Sequence, residues 1–267
     1  MKKVIIIPDS FKGTMSAKQV CALMERQVGR QFPTCRTITV PVADGGEGSV
    51  DCFLEALGGQ KVRVPVHGPY MEPMEAEYGM LGDGTAVVET ASCAGLPLVE
   101  HRENPGKTTT YGVGELVLAA LEAGARKIIV GLGGSCTNDG GCGMAAALGV
   151  RFYDRQDRQF VPVGATLREI TRIDTAGREE RLAQGKLLAM CDITNPLLGP
   201  EGAACVFGPQ KGADEAMVQE LEHGMAHYAG ILECLDTVKD IRKLPGGGAA
   251  GGLGAGMAAL LGAELLP

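Results

Sequence analysis

Apolar positions switch between two periods along the first sixty residues, and the switching predicts strand, helix, strand, helix. Val4–Ile7 is a short β-branched run closed by Pro8-Asp9-Ser10, which reads as a buried strand ending in a turn. Ser16 with Gln19 three residues on forms a capping box, and Val20, Leu23, Met24 and Val28 mark an apolar helix stripe behind it. Thr37–Val42 is a second strand. After the loop Asp44-Gly45-Gly46-Glu47-Gly48, Val50, Phe53, Leu54 and Leu57 mark a second helix, ended by Gly58-Gly59. This order predicts an α/β fold with a parallel sheet covered by helices. Lys61–Val66 and Ala76–Glu89 read as extended, with turns at Gly68-Pro69 and Gly82-Asp83-Gly84. The change near residue 66 from helix alternation to extended segments marks a domain boundary. Later elements are a helix over Val113–Leu121 stopped by Gly124, strands over Lys127–Val130 and Leu187–Cys191, a third strand over Ala203–Phe207, a long helix over Asp214–Leu235 capped by Asp214, and an apolar helix over Leu253–Leu261. Glu264–Pro267 then stops on apolar residues, as if another element were due.

Composition narrows the setting. Glycine at 40 of 267 residues implies many tight turns and close backbone approaches, while 45% hydrophobic residues supply a core. The net charge of −7, with no basic run longer than a Lys pair, argues against nucleic acid. Nine scattered cysteines without a C-x-x-C pair exclude a zinc ribbon or thioredoxin motif. The opening apolar run is too short for an export signal or a membrane span. The expectation is a reduced, cytoplasmic protein away from membranes.

Five loops that concentrate small, polar and charged residues carry the candidate chemistry. They are residues 9–13, 44–48, 131–141, 192–196 and 208–212. In open α/β sheets ligands sit outside the carboxyl ends of strands, so such loops converge. Residues 131–141 offer Gly133 and Gly134 amides to an anion and Ser135, Thr137, Asn138 and Asp139 to phosphate, magnesium or ribose. An equal alternative is a strand–helix turn in which Asn138 or Asp139 caps the helix. Asp44 and Glu47 suit a hard cation or base work, or else an ordinary turn and helix start. Asp192 and Asn195 share that ambiguity. Lys12 and Lys211, each beside a glycine, are point charges for a phosphate or carboxylate. Gly246–Gly251 formally matches G-x-G-x-x-G, but no strand precedes it, so it is rejected as a dinucleotide fingerprint and an NAD-dependent oxidoreductase with it. His223 and His227 read as surface residues.

Taken as a set, Pro8–Ala17, Pro41–Gly48, Thr110–Glu115, Gly131–Gly141, Cys191–Pro200 and Phe207–Ala213 resemble the corresponding segments of the type I glycerate kinases, in order and along the whole chain. The resemblance implies transfer of the γ-phosphoryl group of ATP to a hydroxyl of D-glycerate with Mg2+, the 2-phosphate product being favoured. It implies two α/β domains, one Rossmann-like with a parallel sheet and the other mixed, with the active site in the cleft between them. Residues 1–66 would open the Rossmann-like domain and 67–267 would form the second. The resemblance further implies Asp192, Asp44 and Lys12 as catalytic residues, Asp44, Glu47 and Asp192 as magnesium ligands, and Gly133, Gly134, Ser135, Thr137, Asn138, Asp139, Asn195 and Lys211 as substrate and phosphate contacts. Family members continue through a G-E-G-x-x-D loop that is absent here. The Rossmann-like domain is therefore expected to be discontinuous and incomplete, and an inactive remnant that binds ligand or a partner is the alternative expectation. A homo-oligomer is left open.

Overall fold

The computed structural model describes residues 3–11, 14–235 and 237–266. The chain opens with strand β1 (Lys3–Ile6), helix α1 (Ala17–Gln31), strand β2 (Arg36–Thr39) and helix α2 (Ser49–Leu57). β1 and β2 pair in parallel as a two-stranded sheet. The capping box at α1 is formed: Gln19 N donates to Ser16 Oγ at 3.2 Å, and Ser16 N donates to Gln19 Oε1 at 2.8 Å. β2 is shorter than expected because Pro41 has no N–H, although Val40 N still reaches Ile6 O at 2.9 Å. The α1 stripe is only partly covered. Ala17, Val20 and Cys21 are buried, whereas Leu23 and Met24 are 41% and 46% exposed, because a two-stranded sheet is too narrow to hide the whole face.

The main sheet follows. β3 (Gln60–His67), β4 (Pro73–Met80), β5 (Thr85–Glu89), helices α3 (Ala91–Ala94) and α4 (Tyr111–Glu122), β6 (Lys127–Gly131) and helix α5 (Cys142–Ala147) come first. A small antiparallel sheet of β7 (Arg151–Tyr153), β8 (Gln159–Phe160) and β9 (Arg172–Asp174) intervenes. Then come β10 (Lys186–Met190), α6 (Ala203–Phe207), α7 (Glu215–Glu233), α8 (Ala249–Leu261) and β11 (Glu264–Leu266). The six-stranded order is β11-β10-β6-β5-β4-β3, parallel from β11 to β5 and antiparallel beyond it. β5 is buried on both sides, as expected of a central parallel strand. Val87 packs with Val50 and Leu81 on the α2 side, while Ala86 and Val88 join the main core with Leu116 and Val117 of α4.

The strand expected over Ala203–Phe207 is instead helix α6. Its Ala-Ala pair favours helix, Val206 N and Gly208 N close helical bonds to Gly202 O and Ala204 O, and Ala203 and Ala204 are fully buried. The terminal apolar residues are not idle: Leu265 packs on the core from β11 at the sheet edge. The glycine-rich, kinked start of α8 also has a packing reason. Ala250, Gly251 and Gly252 take left-handed conformations, and a Cβ on Gly251 would stand 2.0 Å from Thr137 O.

Candidate active site

The carboxyl ends of β5, β6 and β10 share one edge, and the loop after β2 folds onto it. Thr90 N donates to Gly131 O at 3.0 Å, Leu132 N to Met190 O at 3.3 Å, and Gly133 N to Gly45 O at 3.1 Å. The contact is backbone against backbone, since a Cβ on Gly131 would lie 2.2 Å from Gly45 O. Asp44 is thereby carried to the ends of β6 and β10. Its Oδ1 accepts from Gly46 N at 2.9 Å and it is half-buried. Asp192, exposed, lies two residues past the end of β10. Asn195 serves the same loop internally, with Nδ2 donating to Glu201 O at 2.8 Å.

A cleft of about 1240 Å³ opens beside this edge, walled by Asp9, Ser10, Glu47, Glu89 and Ser92 among others. Glu47 is exposed there. Lys12 lies outside the described residues, three positions after the cleft-lining Asp9. Glu89 was not among the residues expected from the sequence. It is 8% exposed and accepts from Val50 N at 2.6 Å in the first turn of α2, so it ties that helix to the end of β5. Burial pushes its carboxyl up, against the hydrogen bonds from Val50 and Gly48. Its signal was available: a carboxylate closing the all-apolar run Ala86–Val88 has to have a partner.

No residue of the 131–141 loop walls the cleft, and the second half of the loop is buried away from it. Thr137, Asn138 and Asp139 are fully buried. Asp139 Oδ2 accepts from Thr110 N at 2.8 Å, Thr110 Oγ1 at 2.9 Å and Gly143 N at 3.2 Å, and Oδ1 accepts from Gly141 N at 3.1 Å. It thus joins the starts of α4 and α5, which is the capping role left open above. Burial pushes its carboxyl up while these bonds favour the charged form. Lys211 is also buried and donates to Ser135 Oγ at 2.9 Å and to Thr137 O at 2.7 Å. The structure therefore places Asp44, Gly133 and Gly134 at the strand ends, Asp192 two residues past the end of β10, and Glu47 in the wall of the cleft, which the other four do not line. It sets Thr137, Asn138, Asp139 and Lys211 behind them. Among the described residues no three His, Cys, Asp or Glu side chains converge on a metal position. Mg2+ in kinases takes one or two carboxylates plus substrate phosphates, a donor set that half-buried Asp44 and exposed Asp192 fit.

Comparison with known proteins is decisive on the family, because the glycerate kinase family model matches residues 4–267. The chain belongs to the glycerate kinase family. It is 45% identical over 269 residues to a glycerate kinase of Halalkalibacterium halodurans, covering 100% of this chain and 70% of the relative. It is 45% identical over 265 residues to the glycerate 2-kinase of Escherichia coli K12, covering 98% of this chain and 69% of the relative. A crystallised candidate glycerate kinase 2 from Salmonella typhimurium LT2 superposes with a TM-score of 0.88 at 43% identity, over 99% of this chain and 71% of that one. That likeness fits the α/β architecture of parallel and mixed sheets described above.

Proposed function

We propose that this glycerate kinase family member transfers the γ-phosphoryl group of ATP to a hydroxyl of D-glycerate. The glycerate oxygen bonds to the γ-phosphorus, the bond to the β-phosphate bridging oxygen breaks, ADP leaves, and the hydroxyl proton goes to a carboxylate. The observation that carries this reading is the meeting of the Asp44 loop and the Gly131–Gly134 turn at the carboxyl ends of adjacent parallel strands, with Asp192 two residues past the end of one of them. Phosphoryl transfer asks a protein mainly for positioning and charge stabilisation, and a glycine-lined backbone edge flanked by two carboxylates offers both. In this reading Asp44 and Asp192 divide base work and magnesium binding, with Glu47 as a further ligand. Bound Mg2+ would neutralise phosphate charge. The Gly134 amide and Ser135 face the phosphates, the Gly133 amide being engaged by Gly45 O, while Asn195 shapes the loop bearing Asp192 and Lys12 meets the transferred group. Thr137, Asn138 and Asp139 support the turn from behind.

The domain division near residue 66 belongs to the same proposal, at the end of β3, which is paired with β4 along its whole length. The cleft lies between the β1–α2 unit and the remainder. A reduced, cytoplasmic setting belongs to the same proposal; among the described residues no helix is long and apolar enough to cross a membrane. One observation favours the remnant reading: Ile5 and Ile7 of the two-stranded sheet region are each 59% exposed.

The test is the chain with ATP, Mg2+ and D-glycerate, followed by phosphorus NMR. The reading expects 2-phosphoglycerate, absent with Asp192→Ala. Absence of any phosphoglycerate, with nucleotide binding retained by calorimetry, would favour the remnant.

A further inference from the structure

Lys211 is the one site residue whose placement demands a different account. An ammonium 2% exposed ordinarily faces a carboxylate, because desolvation without a counter-charge is costly. Here both acceptors of its hydrogen bonds are neutral, Ser135 Oγ at 2.9 Å and Thr137 O at 2.7 Å. Asp139, in the same turn, is already committed to Thr110, Gly141 and Gly143. The turn is not self-sufficient either: Thr137 Oγ1 and both amide atoms of Asn138 are buried without a hydrogen-bond partner among the described residues. Lys211 spans the weak stretch from outside it. By donating to a lone pair of Ser135, it also leaves the Ser135 proton to be donated to another partner, next in sequence to the exposed Gly134.

We propose that Lys211 is a positioning residue of this site, its ammonium pinning the turn after β6 and setting the Ser135 hydroxyl as a donor, rather than a group that meets substrate. The proposal rests on the kinase reading for its activity readout. Burial pushes the ammonium down to about 8, against Cys136 and Asp139, which raise it. Cys136, itself pushed up to about 12, and buried Asp139 face it from the turn, and Glu103 lies against the neighbouring Gly212. Above that pH the turn loses its charged clamp.

The test combines Lys211→Met, Ser135→Ala and the double variant with a pH profile. The proposal expects an alkaline fall in wild-type kcat near pH 8 that Lys211→Met lacks, and about a tenfold or greater loss in kcat in each single variant. The double variant should lose no more than the worse single. Independently of activity, the Ser135 and Thr137 backbone amides of the wild type should titrate in NMR with a midpoint near 8. Wild-type kcat with the alkaline fall retained in Lys211→Met, or amides flat from pH 7 to 10, would overturn it. If Lys211→Met does not fold, the wild-type titration and Ser135→Ala decide. A wild type that titrates as expected but makes no phosphoglycerate would overturn the kinase reading and leave the Lys211 assignment supported.

Discussion

Gly131→Ala tests whether the site depends on two backbones in contact. The added Cβ would stand 2.2 Å from Gly45 O and 2.9 Å from Gly45 C, where ordinary contact begins at 3.4 Å. Neither partner is a flexible side-chain end, so the Asp44–Gly48 loop has to retreat by more than about 1 Å from a well-packed edge. Overpacking of this kind costs roughly 1–3 kcal/mol. Asp44 moves with the loop, and a displacement of about 1 Å at a reacting group costs on the order of 100-fold in turnover. Urea unfolding and D-glycerate phosphorylation at saturating ATP read the two effects separately. Gly29→Ala is the control: it lies inside α1 with nothing within 4 Å of the new Cβ, and should stabilise the protein by roughly 0.5–1 kcal/mol with kcat unchanged. If Gly131→Ala keeps wild-type turnover, the packing of the Asp44 loop on β6 is not what positions the site.

Other consequences follow from the buried polar groups and caps. Asp139→Asn places an NH2 against the donors of Thr110 and Gly143 and should cost roughly 3 kcal/mol in urea unfolding. Asp214→Ala removes the acceptor for Met217 N at the start of α7, and a loss of about 1 kcal/mol is expected without change in kcat. Lys211 sits at about 8 in the folded protein against 10.5 in its ordinary state, so the unfolded chain holds more protons between those pH values and stability rises with pH across that window. At about 1.4 kcal/mol per unit the rise amounts to roughly 3 kcal/mol, and Lys211→Met should flatten it in chemical denaturation.

Elements set by neighbours in the chain were legible in the sequence. The Ser16–Gln19 capping box and the Asp214 cap appear as read, because each closes within three residues. Features set by distant contacts were not. Nothing around Leu23 and Met24 announces that the sheet beneath them has only two strands. Gly131 reads as part of an anion-binding loop and Gly45 as part of a turn bearing carboxylates, yet part of the reason for both is mutual backbone contact across 86 positions of sequence. Asp139 and Lys211 look like any polar loop residues until their burial is known. Ala203–Phe207 was ambiguous at five residues, and its packing decided for helix.

The central claim is that the carboxylate carried onto the ends of β6 and β10 takes part in phosphorylating glycerate. Asp44→Asn tests it most directly, because the amide keeps an Oδ1 acceptor for Gly46 N and so preserves the turn while removing the charge. With ATP, Mg2+ and D-glycerate at saturation, kcat should fall on the order of 100-fold with the unfolding midpoint unchanged. A variant that turns over within twofold of the wild type would contradict it.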